Sequence, residues 1–77
     1  MRKYKKNSET KDFVTYAYSY EFYTDEYTGL IEINKHTKQA KMIKQAKGEL
    51  RPEYAVLYAQ TCLPEENYPN HRTHTAR

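Results

Sequence analysis

Three histidines and one cysteine are the side chains in this 77-residue sequence that could support catalysis or metal binding. A thiol nucleophile would pair Cys62 with a histidine base, and His71 with His74 could begin a metal site. Neither spacing favours such a site, because structural zinc needs four closely grouped ligands. Cys62 also falls on the apolar side of a predicted helix, where cysteine acts as a small hydrophobe. We therefore expect no metal, no cofactor and no enzymatic activity.

Phosphate chemistry has equally little support. The sequence holds two glycines, Gly29 and Gly48, far apart, so the glycine-rich loops that cradle phosphates cannot form. No Ser, His and Asp arrangement has a catalytic spacing. Binding, rather than catalysis, is the class of function that these residue types allow.

Tyrosine is the most unusual part of the composition, with nine copies and no tryptophan. Its ring is apolar and its tip polar, which suits both a thin core and a binding face. In the core interpretation Tyr16, Tyr18 and Phe22 fill the space beneath a helix. A short helix covers only part of such a ladder, so the surplus rings predict a protein-binding surface. That surface comprises Tyr16, Tyr18, Tyr20, Tyr23, Tyr27, Asp25 and Glu26.

Lysines recur at every third position between residues 35 and 47. They could contact phosphates, helped by the basic first residues of the chain, with tyrosine rings stacking on bases. A period of three matches neither one strand face nor one helix face, so these lysines could equally be dispersed charge or protection of an edge strand. The candidate nucleic-acid contacts are Lys35, Lys38, Lys41, Lys44 and Lys47.

Period-two alternation identifies the strands that must position these side chains. Apolar and aromatic residues occupy the even positions from Val14 to Phe22, which predicts a strand. A turn ending at Gly29 leads to a second strand at residues 30–34.

Residues 39–46 fit either a strand or a helix. As a strand, they pair with residues 30–34 in a register that sets Asn34 opposite Gln39 and Leu30 opposite Ile43. Ile31, Ile33, Ala40 and Met42 then share one face, while Glu32 and Lys41 form a cross-strand charge pair. As a helix, Asn34 is the N-cap and Gly48 follows the C-terminus. We favour the strand, because one register satisfies both faces.

Pro52 begins a predicted helix, since proline suits the first helical position, and Pro64 ends it. One broad apolar face of this helix is formed by Tyr54, Tyr58, Cys62, Ala55, Ala59 and Leu63, with Leu57 on the opposite side.

The predicted fold is therefore α+β: a small three-stranded antiparallel meander followed by one packed C-terminal helix. Residues 1–11 are expected to be a disordered basic arm, residues 12–68 a single domain and residues 69–77 a flexible tail. A single cysteine excludes an intramolecular disulfide and indicates the cytoplasm. No apolar run approaches the length of a membrane span, and no apolar segment follows the basic start as in a signal peptide.

The charge pattern bears on the partner. The net charge is +3, and basic and acidic stretches alternate, whereas a dedicated nucleic-acid-binding protein more often has a basic excess on one face. The alternation indicates ion pairing within the molecule, or a partner with both signs of charge on its surface. Small inhibitors from phages and mobile elements, including anti-CRISPR-type proteins, share this size and composition. We therefore expect a small interaction domain that occludes a larger protein. The alternative is a nucleic-acid-binding accessory protein, and an exposed edge strand could also pair two copies into a homodimer.

Overall fold

A computed structural model describes residues 1–20 and 26–74 and shows one antiparallel sheet with one helix. In chain order the elements are β1 (Arg2–Glu9), β2 (Phe13–Ser19), β3 (Gly29–Asn34), β4 (Ala40–Lys44), α1 (Pro52–Thr61) and β5 (His71–His74). The strands lie in the order β4-β3-β2-β1-β5, and every neighbouring pair is antiparallel. The α+β class is as predicted, and α1 connects the two edges of the sheet.

The sheet has five strands, which corrects the prediction of three. The extra strands come from the two segments interpreted as an arm and a tail, and β1 lies between β2 and β5. Alternation did not reveal β1 because one of its inward residues is charged: Arg2 is buried and forms a bidentate pair with Glu49. β5 contains no aliphatic residue, and its place is fixed by backbone pairing with β1.

The segment after β3 is a strand, and most of its predicted register is confirmed. Ile33 pairs with Ala40, Glu32 with Lys41, and Ile31 with Met42. The next pair differs, because a β-bulge sets Leu30 opposite Lys44 instead of Ile43. Such a bulge places two residues of one strand opposite one residue of its partner.

The face of the sheet beneath α1 forms the core. Val14, Tyr16, Tyr18, Ile31 and Ile33 are fully buried there, as the alternation of β2 and β3 predicts. Tyr16 and Tyr18 therefore cannot belong to an exposed aromatic surface, which corrects that part of the predicted binding site. Their hydroxyls are satisfied inside the protein: Tyr16 donates to the carbonyl of Pro69 at 2.6 Å, and Tyr18 accepts from the N–H of Ala46 at 3.2 Å.

Gly29 makes room for the Tyr18 ring. A Cβ at this position would lie 2.2 Å from Tyr18 Cε1 and 2.9 Å from the Ala46 methyl, closer than any real contact. The ring therefore lies across the backbone of β3 and reaches the loop after β4.

Helix α1 begins at Pro52, as predicted, and runs to Thr61. It buries Ala55, Tyr58 and Ala59 against the sheet, and Leu63 follows it into the core. Tyr54 was assigned to this apolar face but is half exposed. Within residues 1–20 and 26–74, no helix has the length and apolar character to cross a bilayer.

Candidate functional site

The predicted tyrosine surface is divided among three environments. Tyr16 and Tyr18 are in the core, and Tyr20 is half-buried with the Arg2 guanidinium 5.2 Å from its ring centre. Tyr27 is half-buried with Lys3 Nζ 5.7 Å from its ring, and Glu26 is exposed. Tyr23 and Asp25 lie outside the described residues. The structure therefore does not bring the described members together as one aromatic patch.

An exposed apolar stripe lies elsewhere, along α1 and the turn before it. Leu50 is 81% exposed, Tyr54 51% and Leu57 52%. Tyr54 and Leu57 are three residues apart and lie on one side of α1, which Thr61 continues, and Leu50 lies in the turn before the helix. Large exposed apolar residues that cluster mark interaction sites more often than isolated ones do.

This stripe borders a groove between α1 and the β1–β5 side of the sheet, which we call the helix groove. Its volume is about 260 Å³. It is lined by Arg2, Tyr54, Leu57, Tyr58, Thr61 and His74. The helix groove and the exposed stripe together form a continuous, mainly apolar surface at one edge of the fold.

The wall of the helix groove is held by stacked rings. Tyr58 stacks on Tyr4 with ring centres 5.1 Å apart and on His74 at 4.1 Å. Burial raises the pKa of Tyr58, against the opposing effect of the Arg72 guanidinium. Burial also lowers the pKa of His74, helped by the positive charges of Arg2 and Arg72. At neutral pH both rings are therefore uncharged.

Two buried polar atoms of this wall have no hydrogen-bond partner within the described residues: the Tyr58 hydroxyl and His74 Nδ1. Buried polar atoms are normally satisfied, so each unsatisfied one needs an explanation. Tyr58 is 6% exposed. Both atoms are covered by the surrounding protein, so a partner on the surface of the groove does not reach them directly.

The base of the helix groove is an ion pair. Arg2 Nε and Nη2 donate to the two carboxylate oxygens of Glu49 at 2.8 and 2.9 Å. Burial opposes ionisation of Glu49, but the Arg2 hydrogen bonds and the Arg51 N–H hold its pKa below the usual 4.5. This pair connects β1 to the segment that precedes α1. The charge of Arg2, which lines the groove, is therefore neutralised by a bidentate hydrogen-bonded partner.

The opposite face of the sheet carries no helix, and we call it the open sheet face. Residues that pair in antiparallel strands point to the same side, so Lys41 and Lys44, opposite Glu32 and Leu30, both point to it. Lys3 and Lys5 point there from β1. The bulge thus gathers lysines that a regular strand would have placed on opposite faces. Glu32 is the one acidic residue on this face within the described strands.

The remaining lysines of the series are not part of this group. Lys35 pairs with Glu9 and approaches the Tyr68 ring. Lys38 lies in the hairpin turn with a positive φ of 66° and also approaches Tyr68. Lys47 is exposed beyond the end of β4. Of the five, only Lys41 and Lys44 are placed on one face by the β4 register.

The candidate catalytic residues are dispersed. Cys62 is half-buried against the core, with Thr61 Oγ1 at 3.6 Å from its sulfur. His36 lies in the hairpin turn at 2.7 Å from Asp12, His71 is exposed, and His74 stacks on Tyr58. Within the described ranges, no three His, Cys, Asp or Glu side chains are grouped closely enough to hold a metal ion.

The sequence does not predict the helix groove, because the outer wall of the groove is β5, and this segment was expected to be a flexible tail. One signal was available: Leu57 fell opposite the buried face of the helix, where an apolar residue is exposed. Comparison with protein-family models, curated proteins and solved structures finds no significant match to this chain.

Proposed function

We propose that this protein is a small, non-catalytic interaction domain that binds a larger protein through the helix groove and the exposed stripe beside it. The observation that carries the proposal is the exposure of Tyr54 and Leu57 next to that groove. Aromatic and large aliphatic residues beside a pocket are typical anchors of protein interfaces. As in small occluding inhibitors, the whole effect of such a domain would come from covering a site on its partner.

A matched pair of variants tests this proposal. Leu57→Ser removes an apolar side chain that is 52% exposed beside the helix groove, and Ile43→Ser removes one that is 49% exposed on β4. Each is expected to change the free energy of unfolding by about 0.5 kcal/mol, as at other surface sites. The partner is captured with the wild-type chain from extracts of its own organism, and the affinity of each variant for it is measured.

We expect Leu57→Ser to weaken binding by at least about tenfold, as at an interface anchor, and Ile43→Ser to leave it unchanged. Equal affinities of the two variants would contradict the assignment of the surface. Capture of no protein at all would contradict the function.

A second candidate function is nucleic-acid binding through the open sheet face. The specific observation in its favour is the β4 bulge, which places Lys41 and Lys44 on the same face as Lys3 and Lys5. Contacts between lysines and phosphates release counterions, so affinity would fall steeply with salt.

Lys44→Gln and Lys38→Gln separate this candidate from a general effect of charge. Both remove one positive charge, but only Lys44 points to the open sheet face. The candidate predicts that Lys44→Gln weakens binding to single-stranded DNA or RNA and lowers the salt slope by about one, whereas Lys38→Gln does neither. Binding that is absent, or insensitive to salt, would exclude it.

A further inference from the structure

We propose that the outer edge of β5 is where the partner docks, by adding an extended segment to the sheet as a sixth strand with alternating apolar and acidic side chains. This inference rests on the proposed function, in which the helix groove binds a protein. It specifies how the partner is held and which chemistry it presents.

The backbone of β5 has N–H and C=O groups that point away from β1, as the addition of a strand requires. The Lys6 N–H donates to the Asn70 carbonyl at 2.8 Å, and the same register pairs Tyr4 with Arg72 and Arg2 with His74. Hydrogen-bonded pairs alternate along an antiparallel ladder. The N–H and C=O groups of His71 and Thr73 therefore point outward, away from β1.

These outward groups are largely unoccupied. Within the described residues, no group hydrogen-bonds to the N–H of His71 or of Thr73. The Thr73 carbonyl accepts from Arg72 Nη1 at 3.3 Å, a contact that an incoming N–H could replace. An unpaired row of this kind is a template for strand addition.

The opposite edge does not offer the same template. The outward N–H of Ala40 on β4 is occupied by the side chain of Gln60, with Oε1 at 3.0 Å. The bulge before Lys44 interrupts the regular spacing of the strand, and Lys41 and Lys44 are exposed along it. Bulges and edge lysines both oppose pairing with another strand. Of the two edges, β5 is therefore the more open to an added strand.

The helix groove explains why every second side chain of the added segment is apolar. Side chains of an added strand alternate between the two faces of the sheet, so every second one would lie on the helix side, beside His74. There it meets Leu57, Thr61 and the ring of His74, which line the helix groove. The groove, with a volume of about 260 Å³, has room for a large apolar side chain.

The positive charges on the open sheet face explain why the alternate side chains of the segment are acidic. On the open sheet face the cations nearest to an added strand are Lys3 and Lys5, one strand further in, opposite Thr73 and His71. The β5 strand of a second copy contains no carboxylate and no aliphatic side chain, so it would complement neither these lysines nor the helix groove. A partner strand with carboxylates on this face would neutralise the lysines, which is why a different protein is favoured over a homodimer.

Synthetic peptides provide the test. The probe is a capped nine-residue peptide in which isoleucine alternates with glutamate, titrated into the isotopically labelled full chain and followed by amide NMR. We expect shifts and slower hydrogen exchange at His71 and Thr73, and no change at Ala40 and Met42. A twin peptide with N-methyl groups on one edge keeps its side chains but loses its donors, and it should bind at least about tenfold more weakly.

Two variants isolate the pairing step on the protein side. Thr73→Pro removes an outward N–H and leaves the hydrogen bonds of Arg72 and His74 to β1 in place, as prolines on edge strands do. We expect an intact fold by circular dichroism and about tenfold weaker peptide binding. Thr73→Val, which keeps the N–H, should bind like the wild type.

The outcomes separate this inference from the proposed function. Binding that is unaffected by N-methylation and by Thr73→Pro, but lost in Leu57→Ser, would overturn strand addition and leave the helix groove as a protein-binding site. Equal binding of a lysine-containing peptide would overturn the acidic preference. Protection of His71 and Thr73 that grows with protein concentration alone would identify a second copy as the occupant. Protection by an oligonucleotide only, or by no probe, would likewise overturn the inference.

Discussion

The two edges of this sheet are built in opposite ways. At β4, a glutamine from the helix occupies an outward N–H, a bulge breaks the spacing, and lysines line the exposed side. At β5, the strand is short and its outward N–H groups have no partner within the described residues. Close beside it lies the helix groove, with the exposed side chain of Leu57.

The difference shows that the exposed edge of β5 is not a general property of a small sheet. The same chain contains several devices that natural proteins use to prevent edge pairing: a bulge and exposed lysines at β4, and only the short length of the strand at β5. The helix contributes to both arrangements, since Gln60 faces β4 and Leu57 faces the helix groove. One helix therefore closes one edge and forms the wall of a site at the other.

The largest expected effect comes from breaking the ion pair between Arg2 and Glu49, which lies beneath the β5 edge. Arg2→Ala leaves the buried carboxylate of Glu49 without its partner, and breaking a buried ion pair in this way costs about 3–5 kcal/mol. Urea unfolding should show the loss, and Arg2→Lys, which keeps the charge without the bidentate geometry, should lose less. A cost below about 1 kcal/mol would contradict the structural importance of the pair.

The same pair predicts the response to acid. The pKa of Glu49 in the folded protein lies below 4.5, so its contribution to stability is present above that pH and is lost as the pH falls through the folded value. Glu49→Gln should remove this acid-dependent step from the unfolding profile. If the acid-dependent loss of stability is unchanged in Glu49→Gln, it comes from other carboxylates.

A somewhat smaller effect is expected from removing the ring of Tyr58, which should destabilise the β5 edge and leave the β4 edge unchanged. Tyr58→Ala removes the ring between Tyr4 and His74 and should cost about 3 kcal/mol, as other large-to-small core changes do. Hydrogen exchange should show β5 losing protection while β4 keeps it. Tyr58→Phe is the control, because it keeps the ring between Tyr4 and His74 and should therefore keep β5 protected. Equal loss at both edges would show that they are not independent.

At β4 the expected effect is about 1 kcal/mol. Gln60→Ala removes the acceptor for the Ala40 N–H, and a single hydrogen bond contributes about this much. The exchange of the Ala40 amide should rise in the variant. Gln60→Glu keeps an acceptor oxygen and should keep the amide protected. An unprotected Ala40 amide in the wild type would contradict the closed edge.

The smallest expected effect is a pH dependence at β5. The pKa of His74 in the folded protein lies below 6.5, because of burial and then the charges of Arg2 and Arg72. Its contribution to stability is therefore present above pH 6.5 and is lost as the pH falls through the folded pKa. NMR titration should show the β5 amides exchanging faster from about pH 6.5 downward, after correction for intrinsic rates. His74→Gln should abolish this change.

The central part of the sheet could be predicted from the sequence. Tyr16 and Tyr18 alternate with small or polar residues, and Glu32 opposite Lys41 fixed the β3–β4 register. The register failed at Leu30, because nothing in the pattern of Met42 to Lys44 reveals a bulge. That one extra residue also determines which lysines share a face.

The ends of the sheet could not be predicted, because their stability does not come from alternating apolar residues. Arg2 is inward-facing only because Glu49, far along the chain, neutralises it. β5 is held by backbone pairing with β1 and by the stacking of His74 on Tyr58, and neither produces an apolar alternation in the sequence of β5. The helix groove was missed for the same reason, since it exists only when β5 is in place beside α1.

The interior position of β1, between β2 and β5, has a consequence for the order of folding. β2, β3 and β4 can assemble by hairpin closure between neighbours in sequence, whereas β5 must find β1 across almost the whole chain. Pairings between residues so distant in sequence form slowly, because a large loop must close before they contribute stability. We expect β5 to be the last strand to join during refolding and the first to separate during unfolding. Until it joins, β1 itself is an edge strand, with its outward N–H and C=O groups available to any neighbouring chain.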